Sequence, residues 1–204
     1  MDKKFQGKYR SGTFRLQSWN YGFKGDYFIT ICTRNRKHYF GEVIDGEMVL
    51  NALGKIAEEE WIKSTLIRSD MNLTLGEFQV MPNHFHGIIK IGENRYNSLK
   101  LLCKEGSLEQ INNASSEGSW TSRKSILLHK APGNYFGPQR KNLASIIRGY
   151  KGSVKRETGK LGFGDFYWQS LYHEHIIRNR KAYHAIERYI RNNPKNWNKD
   201  RFGK

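Results

Sequence analysis

The stretch that most constrains the fold is residues 81–89, in which a Pro-Asn turn precedes two histidines and an apolar run. Side chains of a strand alternate between the two faces of the sheet, so a strand that begins near His84 places His84 and His86 on one face and Phe85 on the other. The two histidines then lie about 7 Å apart along the chain. Two imidazoles on one face are half of a divalent-metal site, although two ordinary half-buried histidines give the same pattern.

The segment before this turn has the alternation of a partner strand. Residues 77–81 alternate in character and pair naturally, through Pro82-Asn83, with the strand that follows. We therefore expect a hairpin that holds the two histidines at the start of an interior strand. That is the rigid placement that a metal site needs.

The rest of the chain predicts further strands and three helices. Residues 27–33 are rich in aromatic and β-branched residues and predict a strand, and the Asp-Gly pair within residues 42–49 predicts a hairpin. Apolar residues at helical spacing predict helices that begin near residues 53, 143 and 179. The last of these begins after Asn179, a good N-cap, and ends before Pro194.

Length and segment composition favour a single domain over residues 1–204. Residues 1–26 are basic and predict an N-terminal arm, with a disordered tail as the equal alternative. Residues 93–140 are polar, rich in turn-forming residues and without periodicity. Because a connection of that length is unusual inside a domain, we interpret it as an insertion.

The charge of the chain points to a polyanionic partner. Lys and Arg number 35 against 19 Asp and Glu, which gives a net charge of +16, and nucleic acid is the usual partner of such a domain. Aromatic residues make up 13%, and aromatics interleaved with cations suit single strands, whose bases stack on them. A merely basic or ribosome-associated protein is the alternative. Two cysteines and the lack of a long apolar stretch or signal peptide predict a soluble, cytoplasmic protein without membrane association.

Two basic regions carry the candidate DNA contacts. Arg34 and Arg36 lie in a basic loop after the first predicted strand, where they suit a phosphate backbone. Arg148, Lys151 and Lys155 give the second predicted helix a basic exposed side. A solvated basic face is the alternative for that helix, but with this net charge DNA contact is favoured.

The last predicted helix carries Tyr189 and Asn193, which are four residues apart and so share one face. A tyrosine hydroxyl is a poor nucleophile at its usual pKa of about 10. Beside a metal-bound phosphate it can attack phosphorus and conserve the phosphodiester energy in a phosphotyrosine. Two imidazoles and one amide oxygen leave several positions of an octahedral Mg²⁺ or Mn²⁺ open for phosphate and water. The sequence does not place this helix against the strand of His84 and His86.

Several motifs in order resemble the single-tyrosine transposases, most closely the REP-associated branch, over most of residues 27–197. They are Thr30-Ile31-Cys32-Thr33-Arg34-Asn35-Arg36, Met81-Pro82-Asn83-His84-Phe85-His86-Gly87-Ile88-Ile89, Trp168-Gln169 through His175-Ile176-Ile177-Arg178-Asn179, and Tyr189-Ile190-Arg191-Asn192-Asn193-Pro194. The resemblance implies a histidine-hydrophobic-histidine endonuclease on a ferredoxin-like α+β fold, an antiparallel sheet flanked by helices. It also implies His84 and His86 as the metal-binding pair, Tyr189 as the nucleophile and Asn193 as the third metal ligand.

Two other positions compete for these roles. Tyr150 is an alternative nucleophile, but it lies on an apolar helical stripe where the family carries an aromatic residue, so we predict that it is core. His173-Glu174-His175 is a second histidine pair, with a charged middle residue that cannot anchor a core. His175 matches a family position, and we interpret it as a DNA-contacting or structural residue.

The resulting hypothesis is a metal-dependent enzyme that cleaves and rejoins single-stranded or hairpin DNA at the ends of mobile or repeated elements, through a 5′-phosphotyrosine. The expected cofactor is Mg²⁺ or Mn²⁺, and the expected setting is the bacterial cytoplasm near the nucleoid, as a monomer or homodimer. The alternative is a non-catalytic DNA-binding protein on the same fold, such as a domesticated regulator.

Overall fold

The computed structural model describes residues 19–98 and 140–200, together with two short paired strands, β1 (Lys4–Phe5) and β2 (Tyr9–Arg10). The main sheet consists of β3 (Gly25–Cys32), β6 (Leu73–Met81), β7 (His84–Ile91) and β8 (His173–Ile177). A separate hairpin and three helices complete the described fold: β4 (Gly41–Ile44), β5 (Glu47–Leu50), α1 (Ala52–Ile67), α2 (Leu143–Lys160) and α3 (Arg180–Arg191).

The main sheet is antiparallel throughout, in the order β6-β7-β3-β8. Helices α1 and α2 pack against each other and cover one face, and α3 covers part of the other. The prediction of an α+β fold with an antiparallel sheet flanked by helices is confirmed. None of the helices in the described part of the chain combines the length and hydrophobicity that a membrane crossing requires.

The larger core lies between the sheet and the helices α1 and α2. Ile29 and Ile31 of β3 point into it, and Trp61 of α1 meets Tyr150 of α2 edge-to-face with ring centroids 5.3 Å apart. The Tyr150 hydroxyl donates to the main-chain oxygen of Ala57 at 3.0 Å, and burial raises its pKa well above the usual value. Tyr150 is therefore a core residue, as its place on an apolar stripe predicts.

Local sequence signals explain where several elements begin. The Asn51 side chain accepts from the main-chain N–H of Gly54 at 3.0 Å and caps α1, and the Asn179 side chain caps α3 in the same way. In the β4–β5 hairpin Asp45 and Gly46 have positive φ angles of 50° and 78°, which is what an Asp-Gly turn between two strands requires. The hairpin prediction and the predicted start of the last helix are confirmed.

The ends of the predicted insertion meet near the end of α1. Of residues 93–140, positions 99–139 lie outside the described residues, while Tyr96 and Lys141 on either side both contact the carboxylate of Asp70. Of the predicted N-terminal arm, residues 19–24 pack against the main body, and Gly25 and Asp26 are already the first residues of β3. Trp19 donates to the Tyr27 hydroxyl at 3.2 Å, and Tyr21 is buried in the larger core.

Candidate active site

The β6–β7 hairpin brings the two histidines together on the sheet face opposite the larger core. His84 pairs with Cys32 and His86 pairs with Thr30 across β7 and β3, and the two imidazole centroids are 4.5 Å apart. Both side chains are buried. The shared face that strand alternation predicts is therefore present.

Each imidazole is oriented through its Nδ1 atom. Nδ1 of His84 lies 2.8 Å from the Asn83 amide oxygen, and Nδ1 of His86 lies 2.8 Å from the Thr30 hydroxyl. An amide oxygen only accepts, so with Asn83 in this orientation the Nδ1 of His84 carries the proton and Nε2 carries the lone pair. Partners of this kind fix the ring and tautomer of metal-ligating histidines. Sequence reasoning assigned neither role, because the Thr30 contact depends on the register of β3 against β7 and the Asn83 contact depends on the side-chain directions in the turn.

Asp200 lies beside the two histidines and adds a carboxylate to them. Sequence reasoning did not identify this residue. Its Oδ2 lies 4.0 Å from Nε2 of His84, and ligand atoms of His84, His86 and Asp200 all lie within 4.8 Å of one another. The carboxylate is buried. The only sequence signal is that Asp200 is the one acidic residue after Glu187 in a basic tail.

Burial keeps His84 neutral at physiological pH. Burial lowers its pKa to about 4, the Asp200 carboxylate opposes that effect, and the charge of Arg36 adds to it. A neutral imidazole offers the lone pair that a metal ion needs.

Tyr189 reaches the same cluster from α3. Its hydroxyl lies 3.3 Å from Nε2 of His86, and the two rings are 5.3 Å apart. The Phe28 ring meets the Tyr189 ring edge-on at 6.1 Å. The tyrosine remains 44% exposed, so its hydroxyl touches a buried histidine while the side chain stays open to a large substrate.

Asn193 lies just beyond the end of α3, beside the same cluster. Its Nδ2 donates to Oδ2 of Asp200 at 2.7 Å, and its Oδ1 is buried without a hydrogen bond of normal geometry in the described part of the chain. The predicted third ligand is therefore placed next to the histidine pair, with a carboxylate between them that the sequence did not indicate.

Four of the predicted DNA contacts have exposed side chains. Arg34 and Arg36 lie in a 3₁₀ turn (Arg34–Arg36) directly after β3, at the end of the sheet that carries His84. Arg148 is exposed on α2. His175 is exposed on β8 and pairs with Phe28, which places it on the same sheet face as His86.

Lys151 and Lys155 have a different environment from the one that the sequence suggested. Both ammonium groups donate to main-chain carbonyls of the loop after α2: Lys151 to Gln169 and Ser170, Lys155 to Gly164 and Phe166. The Lys155 ammonium also lies 3.9 Å from the centroid of the Tyr167 ring. Burial lowers the pKa of Lys151. These two lysines hold a loop in place, which a pattern of basic residues on a helix does not reveal.

Comparisons with known proteins bear on the family and the fold of the chain. No protein-family model matches the chain. A Haemophilus influenzae protein of uncharacterised function is 31% identical over 198 residues, which cover 95% of this chain and 96% of that protein. Among solved structures, a REP-associated tyrosine transposase bound to a REP hairpin is similar, with a TM-score of 0.50 and 20% identity over 90% of this chain and 73% of that chain. The structural likeness shows a shared fold.

Proposed function

We propose that this chain, which belongs to the same family as the Haemophilus influenzae protein and has the fold of the REP-associated tyrosine transposase, is a metal-dependent tyrosine endonuclease with strand-transfer activity. The observation that carries the proposal is the 3.3 Å contact between the Tyr189 hydroxyl and Nε2 of His86, inside a cluster with His84 and Asp200. The substrate class is single-stranded or hairpin DNA at the ends of mobile or repeated elements. The hairpin bound to the solved transposase supports that class.

The donor atoms of the cluster fit Mg²⁺ or Mn²⁺. His84 and His86 would hold the ion through Nε2, and Asp200 and Asn193 would hold it through oxygen, including the buried Asn193 Oδ1. An ion bound there would polarise the scissile phosphate and offset negative charge in the transition state. Nε2 of His86 cannot hold both an ion and the tyrosine, so a loaded site leaves the Tyr189 hydroxyl for the phosphate.

The reaction of the chain's own residues is a phosphoryl transfer to Tyr189. The Tyr189 hydroxyl gives up its proton, and its oxygen forms a bond to phosphorus as the bond from phosphorus to the 3′-oxygen breaks. The 3′-oxygen of the leaving strand takes up one proton and becomes a free 3′-hydroxyl, so no net proton is gained or lost. The 5′-phosphotyrosine keeps the energy of the broken phosphodiester. A 3′-hydroxyl can then attack the phosphotyrosine, rejoin the strands and release the tyrosine.

Affinity for DNA would come from exposed cations around this centre. Arg34, Arg36, Arg148 and His175 would contact the strand directly, while Lys151 and Lys155 would act by holding the loop that follows α2. In this proposal residues 1–204 are one nuclease domain, with residues 1–26 as a basic arm and residues 93–140 as an insertion. The protein would work in the bacterial cytoplasm, as a monomer or homodimer.

The test is to trap the covalent intermediate. Single-stranded DNA that co-purifies with the protein is sequenced, and an oligonucleotide of that sequence is incubated with the protein and Mg²⁺. The expected product is a protein–DNA adduct that maps to Tyr189 by mass spectrometry, together with a strand that ends in a 3′-hydroxyl. Tyr189→Phe should form no adduct and should still bind the oligonucleotide.

The matched control is Tyr183→Phe, on the same helix and packed against β6 near Gly76 instead of the histidine pair. It should form the adduct as the unaltered protein does. An adduct on Tyr150 or in Tyr189→Phe would show that the nucleophile is another residue. Binding with no adduct under any metal condition would favour the non-catalytic DNA-binding protein.

A further inference from the structure

A cavity of about 600 Å³ opens beside the candidate nucleophile, between α3 and the 3₁₀ turn Pro194–Lys199 that follows it. Asp200 belongs both to the lining of this cavity and to the cluster with His84 and His86, and Tyr189, which also lines the cavity, contacts His86. Ligand sites in proteins have volumes of roughly 300–1,000 Å³, so the cavity has the size of a site for a small group. Because Tyr189 lines the cavity, a group bound there would contact the tyrosine side chain.

The cavity lining carries two cations and one carboxylate, Asp200, which belongs to the histidine cluster and accepts a hydrogen bond from Asn193. Arg188 and Lys199 line it, and neither forms an ion pair with another described residue. Arg191, one turn further along α3, differs because it forms ion pairs with Glu77 at 2.7 Å and Glu187 at 3.8 Å. Among the described residues, the cavity lining therefore carries two positive charges without an ion-pair partner, and it also contains Tyr189.

Amide side chains at the cavity supply neutral hydrogen-bonding groups. Asn192 and Asn196 both line it. The Asn196 Nδ2 donates to the main-chain oxygen of Asn192 at 2.9 Å, which orients that amide and leaves its Oδ1 as an acceptor. The exposed Asn192 side chain makes no hydrogen bond to another described residue, so both its donor and its acceptor are open to a partner from outside the chain. Amides are well suited to the edges of nucleobases.

We infer that this cavity binds the nucleotide next to the scissile phosphate, with Arg188 and Lys199 on its phosphate and Asn192 and Asn196 on its base. The inference rests on the proposed function and adds to it a subsite for one nucleotide of the single strand. Such a subsite would fix the position of the strand relative to Tyr189. A nucleotide bound in the cavity would hold the neighbouring scissile phosphate close to the Tyr189 hydroxyl. It also gives the protein a means to choose the base beside the cut.

The first test measures how affinity depends on salt. The probe is a fluorescent twelve-nucleotide oligothymidine, titrated with the full-length protein at several salt concentrations. Arg188→Gln combined with Lys199→Gln should flatten the slope of log affinity against log salt by roughly 1.4, since each lost contact to a single strand is worth about 0.7. The control is Arg180→Gln combined with Lys181→Gln, which removes the same charge at the exposed start of the same helix and should keep the original slope.

The second test locates the base. The same oligonucleotide carries one photoreactive 4-thiothymidine at successive positions, and cross-linked peptides are mapped by mass spectrometry. One position should cross-link within residues 185–200, and Asn192→Ala combined with Asn196→Ala should remove that cross-link. Cross-links only outside residues 185–200, or equal salt slopes for the two charge variants, would overturn the subsite.

These outcomes are separate from those that test the proposed function. If the salt-slope and cross-linking tests contradict the subsite while the Tyr189 adduct still forms on the co-purified DNA sequence, the cavity does not bind the nucleotide. The proposal that the protein is an endonuclease then still stands. If the unaltered protein forms no adduct, the proposed function itself is wrong.

Discussion

The hydroxyl of Tyr189 lies 3.3 Å from Nε2 of His86, although 103 residues separate the two in the chain. A small apolar cluster holds this contact in place: Ile190, next to the tyrosine, packs with Ile88, which follows His86 on the same face of β7. The contact that attaches α3 to the sheet is thus adjacent to both residues. A displacement of α3 away from the sheet would therefore separate Tyr189 from His86.

The histidine pair should be needed for metal and dispensable for DNA binding. His84→Ala combined with His86→Ala removes both Nε2 donors and should abolish Mn²⁺ binding in isothermal titration calorimetry and adduct formation on DNA. DNA affinity should survive, because it depends on the exposed cations. Full Mg²⁺-dependent cleavage by the double variant would place the metal elsewhere.

Asp200 and Asn193 can be ranked as ligands by their separate replacement. Asp200→Asn removes a buried negative charge beside His84 and should weaken Mn²⁺ binding by more than the ~10–100-fold that loss of a supporting group causes. Asn193→Ala removes an amide oxygen and the hydrogen bond to Asp200 and should also raise the metal concentration needed. An unchanged metal titration for Asn193→Ala would remove that residue from the ligand set.

Thr30 should act on the metal through His86. Thr30→Val keeps the shape of the side chain and removes the hydroxyl that lies 2.8 Å from Nδ1 of His86, so metal affinity should fall by ~10–100-fold with the fold retained. Thr74→Val is the matched control, because Thr74 is an exposed residue of the edge strand β6. Equal metal titrations for the two variants would argue against an orienting role for Thr30.

Replacing Lys155 should lower the stability of the protein, whereas replacing Arg148 should weaken DNA binding. Lys155→Met removes hydrogen bonds to the carbonyls of Gly164 and Phe166 and should lower the free energy of unfolding by about 1.5–3 kcal/mol, with the salt dependence of DNA binding unchanged. Arg148→Gln should leave stability within about 0.5 kcal/mol and flatten the salt dependence by roughly 0.7–0.9. Urea unfolding of both variants measures the stability change, and binding curves at several salt concentrations measure the salt dependence. If Lys155→Met flattened the salt dependence and left stability unchanged, Lys155 would be a DNA contact.

Tyr150 should contribute to the stability of the folded protein at neutral pH, and its ionisation should lower that stability at high pH. Tyr150→Phe removes the hydrogen bond to Ala57 and should cost about 1 kcal/mol at neutral pH. Burial raises the pKa of Tyr150, so above pH ~10 the unfolded chain releases the phenolic proton while the folded chain keeps it, and stability falls as pH rises. The phenylalanine variant lacks this effect, and its stability should decline less steeply in urea unfolding from pH 9 to 11. Tyr167→Phe, at an exposed position, should follow the unaltered protein.

Local patterns in the sequence predicted much of the fold. Alternation over residues 77–89 predicted the β6–β7 hairpin, the Asp-Gly pair predicted the β4–β5 turn, and Asn179 with Pro194 bounded the last helix. These signals are reliable because they depend on backbone geometry over a few residues. The family resemblance added the α+β architecture, which the order of the strands in the sheet bears out.

The sequence by itself determined that His84 and His86 share one face, because side-chain alternation along a strand has a fixed period of two. It also predicted that Tyr189 and Asn193 lie one helical turn apart on the last helix, but that helix ends at Arg191 and Asn193 follows its end. Only the tertiary structure decided that α3 lies across the sheet at the histidines, that Asp200 returns to within 4.0 Å of His84, and that the ammonium groups of Lys151 and Lys155 face a loop. Those placements depend on how the elements pack and on which buried polar groups find partners, and neither leaves a periodic signal in the chain.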